Sequence, residues 1–310
     1  MPYKFNNPIR GKFSKARYRV TNWAEYNESL RRRGDVTLWF DLDLLSRWRA
    51  TSIGKRGGKL VYSDLAIEIC LTLRSVFGQA LRQTQGLVRS LLNLAGIVLP
   101  VPDFSTLSRR GATLRICPTA RATTGPITLI VDSTGLRVHG GRDWMEEKHG
   151  LPKHRKTWRK LHIGLDPDSG EIVASSLTTE RVGDPTALPA LLQQIRQPVD
   201  KFIADGAYDG QPTVTTTQMA FGADVEVIIP PPKTAIPGDC DLRNRHLETI
   251  RIEGRMAWQT ATGYNLRSNV EAQIGRYKQV IGPQLRSRTL EAQRVETQSN
   301  RSISTAAHFP

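Results

Sequence analysis

The order of hydrophobic periodicities predicts an α/β chain, in which an all-α N-terminal region precedes a mixed sheet flanked by helices. Three observations carry this. Up to about residue 120 apolar residues recur at three- and four-residue steps; from about 125 short β-branched runs take over; beyond about 185 runs of both kinds alternate.

In the first region Ser63 can cap a helix whose Leu65, Ile69, Leu73, Val76 and Phe77 share a face, and Gly78 ends it. A second helix, through Leu81, Leu87, Val88, Leu91 and Leu92, runs to Gly96. Pro100-Val-Pro102 forces an extended connector, and Asp103 or Ser105 caps a third helix carrying Arg109 and Arg110. Three short helices with a basic third one suggest a helix-turn-helix-like DNA-binding module; a helical region that only braces its neighbour is the plainer alternative.

Strands are then expected at 127–132, at 135–139 after a Ser-Thr-Gly turn, at 161–166, and from Ile172 after the turn Asp166-Pro-Asp-Ser-Gly170, together an antiparallel meander. Asp166 and Asp168 are read as turn formers rather than ligands. A helix through Ala187–Ile195 precedes a strand ending at Asp205, and a further helix follows it. Val225–Ile229 is a strand stopped by Pro230-Pro-Pro232, and beyond an Arg-rich stretch comes the helix bearing Glu271. That succession is the order of an RNase H-like α/β fold.

Three carboxylates stand out. Asp132 and Asp205 each end an apolar run, as a strand does when it presents a carboxylate at a sheet rim; singly, each is explained as well by an Asx turn or a helix cap. Glu271 lies among Tyr264, Arg267 and Lys278, which on an α-helix fall within roughly a 60° arc of one face. Such a face suits a divalent metal and a polyanion together; its plainer reading is a solvated Arg-Glu pair worth about 0.2–0.5 kcal/mol. Three carboxylates from two strands and a helix read better as a metal site. Oxygen-only ligation selects Mg²⁺, with Mn²⁺ as substitute, and two such ions about 4 Å apart would serve in-line phosphoryl displacement without a histidine base. Zinc is disfavoured, because Cys70, Cys117 and Cys240 are far apart and no metal-binding Cys or His spacing occurs. His149, His154 and His162 lie in or beside a basic segment, where phosphate or backbone contacts are expected of them.

Charge points to a polyanionic partner: 44 Lys+Arg against 29 Asp+Glu give a net +15. The excess is densest in a segment holding Lys153, Arg155, Lys156, Trp158, Arg159 and Lys160, expected as a loop that tracks phosphates while Trp158 stacks on a base. An N-terminal arm with Arg10, Lys12, Lys15, Arg17 and Arg19, and the cluster Arg31–Arg33, add to it. No apolar run is long enough for a membrane span, no signal peptide is visible, and three scattered cysteines make no disulfide framework, so a reducing bacterial cytoplasm, at the nucleoid, is the expected compartment.

Over about residues 58–296 the chain resembles bacterial insertion-sequence transposases with an Asp-Asp-Glu site, in particular the insertion-sequence-five-like group. The resemblance rests on Asp132-Ser-Thr-Gly135, Lys148-His-Gly150, Trp158-Arg-Lys-Leu-His162, Asp205-Gly-Ala-Tyr-Asp209, Ile229-Pro-Pro, and the Tyr264, Arg267, Glu271, Lys278 signature. It implies that Asp132, Asp205 and Glu271 are catalytic and bind two Mg²⁺ ions. Arg267 and Lys278 would hold transposon-end DNA, and Tyr264 would shape that surface. The partners implied are double-stranded DNA, as terminal inverted repeats and as target, and further copies of the chain. Two other functions stay open: a structure-selective nuclease, and a catalytically decayed DNA-binding relic or repressor of transposition.

The expected organisation is a basic arm and helical segment at 1–57, a helix-turn-helix-like region at 58–120, the catalytic domain at 125–296, and a tail at 297–310. In the family that last stretch continues as an apolar helix; here it is polar, Thr297-Gln-Ser-Asn-Arg-Ser onward, the mark of a disordered or frameshifted end.

Overall fold

Residues 127–138 form one unbroken strand, β1 (Ile127–Val138), in a computed structural model that describes residues 21–32, 45–51, 60–114, 116, 125–138 and 158–306. The turn expected at Ser133-Thr-Gly135 is extended backbone instead. It is held so because Ser133 to Arg137 pair in register with His162 to Trp158 on β2 (Trp158–Leu165), and because the missing Cβ of Gly135 lets the Trp158 ring lie where that atom would come within 3.3 Å of it.

Adding β3 (Ile172–Thr179), β4 (Val199–Ala204) and β5 (Glu226–Ile228) gives the spatial order β3-β2-β1-β4-β5. The first three are antiparallel neighbours, whereas β1–β4 and β4–β5 are parallel. The parallel pairs need crossovers, supplied by α5 (Asp184–Leu192) and α6 (Gln211–Phe221). A two-residue β6 (Gln284–Leu285) extends the far end of β1 at Arg137 and Val138. This is a mixed sheet flanked by helices, consistent with the RNase H-like architecture expected.

Strand alternation sorts the apolar side chains into two cores. Leu129, Val131, Phe202 and Ala204 pack with Leu188 and Leu191 of α5 and Val214 of α6. Ile130, Ile163 and Ile203 point the other way, against Trp258 of α8 (Arg255–Thr262) and Val270 and Tyr277 of α9 (Ser268–Val280). A helix α7 (Asp241–Glu253) precedes α8 and packs beside it.

The N-terminal helices follow their caps. Ser63 Oγ accepts the Ala66 N–H at 3.1 Å to start α2 (Asp64–Val76), and Asp103 accepts the Thr106 N–H at 2.8 Å to start α4 (Phe104–Arg110), with α3 (Leu81–Leu94) between. The boundary expected at 57/58 lies outside the described residues. The chain divides into units 1–46 and 47–310, and within the second unit α2 packs on the C-terminal helix α10 (Leu290–Ala306). Within the first unit, the described helix α1 (Trp23–Arg32) carries an edge-to-face Trp23–Tyr26 contact at 5.9 Å.

α10 reaches into the polar stretch expected from 297, which is helical as far as Ala306. Its inward side packs on β3 and α9 but is polar: Gln293, Thr297, Ser299 and Asn300 are almost fully buried. Glu296 caps the chain after β6, accepting the Arg286 and Ser287 N–H groups at 2.9 and 2.8 Å. Arg301 donates to the Val173 carbonyl at 2.8 Å, while Ser299 Oγ and Asn300 Oδ1 are buried without a partner.

Candidate active site

Register brings the two aspartates together. On parallel neighbours β1 and β4, Ile130 pairs with Ile203 and Val131 with Ala204, so Asp132 and Asp205 are the next residues in line, on strands about 4.8 Å apart. Counting by twos from Ile130 and Ile203 puts both carboxyls on the face that α9 covers. Because β4 stops at Ala204, no strand among the described residues pairs with this edge of β1 between Asp132 and β6. Asp132 is therefore mid-strand and buried, not presented at a strand end as expected. Asp205 caps the short 3₁₀ turn Gly206–Tyr208, its Oδ1 accepting the Ala207 N–H at 3.0 Å, so both readings of this residue hold at once.

The third element arrives from the opposite direction. Gly263, at φ 73°, makes the left-handed turn out of α8 that a side-chain-bearing residue would strain to adopt. Tyr264–Arg267 then form a 3₁₀ turn leading into α9. Tyr264, Arg267, Glu271 and Lys278 consequently do not share one continuous α-helical face. Arg267 turns inward: one terminal nitrogen donates to Asp132 Oδ2 at 3.0 Å and lies 3.9 Å from Asp205 Oδ2, and the other donates to Glu271 Oε1 at 2.6 Å. Lys278 lies seven residues beyond Glu271, about 10 Å along the helix axis, and is half-buried.

One guanidinium thus bridges three carboxylates. Side-chain exposure grades from 11% at Asp132 through 33% at Asp205 to 59% at Glu271, so the cluster opens outward from a buried base. Burial pushes the Asp132 carboxyl above its ordinary range, opposed by the Ser133 N–H at 2.7 Å and by Arg267, and reinforced by Asp205 and Glu271. Burial would lower the Arg267 guanidinium, but Asp132, Tyr264, Glu271 and Asp205 together hold it above its ordinary value. Among the described residues no group of three or more His, Cys, Asp or Glu side chains is placed so that it could hold a metal ion. By donor chemistry alone the cluster is nevertheless of the kind a hard divalent cation takes. It is all carboxylate oxygen, and the Arg267 guanidinium bridges it.

Other residues expected to touch DNA divide. Lys153, Arg155 and Lys156 lie outside the described residues, as do His149, His154, Cys117 and the N-terminal arm. Trp158, Arg159 and Lys160 open β2 rather than a loop. Trp158 is 38% exposed, with the Arg137 guanidinium 5.4 Å from its ring centre. Arg159 donates to Gln293 at 3.0 Å, tying β2 to α10, and Lys160 pairs with Asp184 at 3.1 Å. His162 makes side-chain contacts, not the phosphate or backbone ones expected: it is buried, 2.9 Å from Thr178 Oγ1, and burial lowers its proton affinity. Arg109 is exposed on α4. Arg110 binds the Tyr62 carbonyl at 3.0 Å and the Asp64 carboxylate, bracing α4 against the start of α2. Asp166 is the expected turn former, accepting the Asp168 N–H at 3.1 Å and the Ser169 hydroxyl at 2.6 Å.

Sequence reasoning missed two residues behind the site, His246 and Trp258; an apolar aromatic six residues before Tyr264 was the available signal. Among the described residues no helix is long and apolar enough to cross a membrane. Two family models, both described as transposase DDE domain, match this chain, one over residues 123–300 and one over residues 31–141.

Proposed function

Because the chain belongs to the transposases with a DDE domain, whose family model spans more than half of it, we propose that it cuts the phosphodiester at each end of a mobile DNA element and joins the freed 3′-hydroxyl to target DNA. The family implies nuclease or transferase chemistry on DNA, supported by divalent metal. The finer reading is an insertion-sequence-five-like enzyme in which Asp132, Asp205 and Glu271 hold two Mg²⁺ ions, Mn²⁺ substituting. The observation that carries it is the convergence of these three carboxylates, from β1, β4 and α9, on one guanidinium.

When bound, the ions would activate the attacking water or 3′-hydroxyl and steady the leaving oxygen. The chain's own residues do the rest. Asp132 and Asp205, on a rigid sheet, set the base of the site, and Glu271, on the more exposed helix, closes it. Arg267 offsets part of the cluster's negative charge; in the reaction its fork is suited to a phosphate, in the manner it uses on carboxylates. Tyr264 and Lys278 flank the path of the DNA. Lys153, Arg155 and Lys156 of the basic segment, with Trp158, Arg159 and Lys160 at its end, would follow the backbone, and Arg109 and Arg110 would lie on the helix-turn-helix-like region that reads the inverted repeats. Two ends must be paired, so the active form is an oligomer on DNA.

Cleavage of the element's own end sequence in Mg²⁺ and Mn²⁺ tests this, comparing the parent with Glu271→Gln. Metal-dependent 3′-hydroxyl ends that vanish in the variant while binding persists support the reading, and joined products exclude a nuclease that only hydrolyses. Binding without cleavage by both proteins favours the second reading, a DNA-binding relic or repressor. The polar buried side of α10, with unpaired Ser299 and Asn300 atoms, is the observation in favour of that one.

A further inference from the structure

Behind the carboxylates a chain of contacts runs from the sheet to Tyr264 and Arg267 through His246 and Trp258, which no part of the catalytic reading uses. Trp258, at the centre of α8, is fully buried, and its indole N–H lies 3.0 Å from His246 Nδ1 on α7. The other imidazole nitrogen, Nε2, is 3.0 Å from the Val227 carbonyl of β5. An indole N–H can only donate and a carbonyl can only accept. Nδ1 must therefore carry the lone pair and Nε2 the hydrogen, so His246 is neutral in a single tautomer, with both nitrogens engaged. Trp258 in turn packs its ring on Tyr264 at 5.3 Å between centroids, tilted by 41°. Tyr264 opens the 3₁₀ turn that ends in Arg267. On the sheet side, Val227 pairs with Phe202 of β4, the strand that leads into Asp205.

We propose that His246 is a positioning residue: locked as its Nε2–H tautomer between Val227 and Trp258, it sets the place of Tyr264, and through it of Arg267 and Glu271, relative to the two strand carboxylates. Aromatic contact alone leaves a ring free to slide, and the directional hydrogen bond removes that freedom. The inference rests on the proposed catalytic reading for its consequence but not for its geometry.

Nuclear magnetic resonance on the full chain tests it. Of the six indole N–H signals, the one lost in Trp258→Phe belongs to Trp258, and the Arg267 Nε–H signal is the one lost in Arg267→Lys. The expected results are an imidazole ¹⁵N pattern of the Nε2–H tautomer, an Arg267 signal that moves in His246→Ala, and its return in His246→Gln, which keeps one acceptor and one donor. Where the parent cleaves DNA, His246→Ala is expected to lose about 10–100-fold in rate at unchanged DNA affinity, as for other residues that orient a site from behind, with recovery in His246→Gln. A parent in the Nδ1–H tautomer overturns the proposal, as does an Arg267 signal that stays put in folded His246→Ala. If His246→Ala does not fold, Trp258→Phe, which keeps an aromatic side chain but loses the donor together with the indole's five-membered ring, is judged on the same Arg267 signal. A parent that cleaves no DNA removes the catalytic reading alone, since the tautomer and the Arg267 signal still decide this one.

Discussion

Two neighbouring helices cover the same face of the sheet, and both carry polar groups into it. At the start of α9 every buried charge meets its opposite: Arg267 is shared among Asp132, Asp205 and Glu271. Towards the end of α10 the buried groups meet less: Ser299 Oγ and Asn300 Oδ1 have no partner, and Arg301, 8% exposed, donates to one carbonyl. Burial brings the Arg301 guanidinium down to about 10, whereas the Arg267 guanidinium, also penalised by burial, is held up by its carboxylates. Buried polarity that converges is a site; buried polarity that does not is a cost borne by the fold.

Breaking the convergent side should have the largest effect. Glu271→Gln keeps shape but removes a ligand charge, and the cleavage rate is expected to fall by about three orders of magnitude or more with DNA binding retained, read from single-turnover kinetics. Wild-type cleavage by this variant would remove Glu271 from the chemistry. Arg267→Ala should act in two directions. Without DNA the carboxylates lose their competing cation, so Mn²⁺ binding measured by calorimetry should tighten by about tenfold, while affinity for end DNA falls. Weaker Mn²⁺ binding would mean that Arg267 organises the ligands rather than competing for them.

The other helix should respond with the opposite sign. Arg301 is a base whose folded-state value is lowered, so its contribution is lost as pH falls through that value and is wholly unfavourable near neutrality. Arg301→Met should therefore raise the urea midpoint, by about 1–2 kcal/mol in stability. A drop in the midpoint would show that the bond to Val173 outweighs the desolvation of the charge. The smallest effect concerns Asp132. Its folded-state value is raised above the ordinary 3.8, so its share of stability is present below that pH and lost as pH rises through the higher value. Urea titrations across the carboxylate range should show this downward step in the parent and not in Asp132→Asn, and identical pH profiles would refute the assigned burial of the charge.

Helix starts were legible because capping is local: Ser63 and Asp103 each satisfy a backbone N–H three residues on, and both caps are formed as expected. The turn at Asp166 was legible for the same reason. Ser133-Thr-Gly135 misled because its turn propensity was overridden by pairing with β2, a partner more than twenty residues away. The helix over 297–306 was not legible because its partners, β3 and α2, lie far off in the chain.

The sequence by itself determined which residue types were on offer: two aspartates closing apolar runs, a glutamate four residues after an arginine, an excess of positive charge, and the alternation of helix and strand periods. Only the tertiary structure decided that β1 and β4 are parallel neighbours in a register that sets Asp132 beside Asp205, seventy-three positions apart in the chain. It also decided that Arg159 and Lys160 face Gln293 and Asp184, and that His246 and Trp258 stand behind Tyr264. The physical reason is range. Caps, turns and periodicities depend on neighbours within about one turn of chain, whereas strand order, register and the pairing of buried charges are set by which distant surfaces can exclude water together.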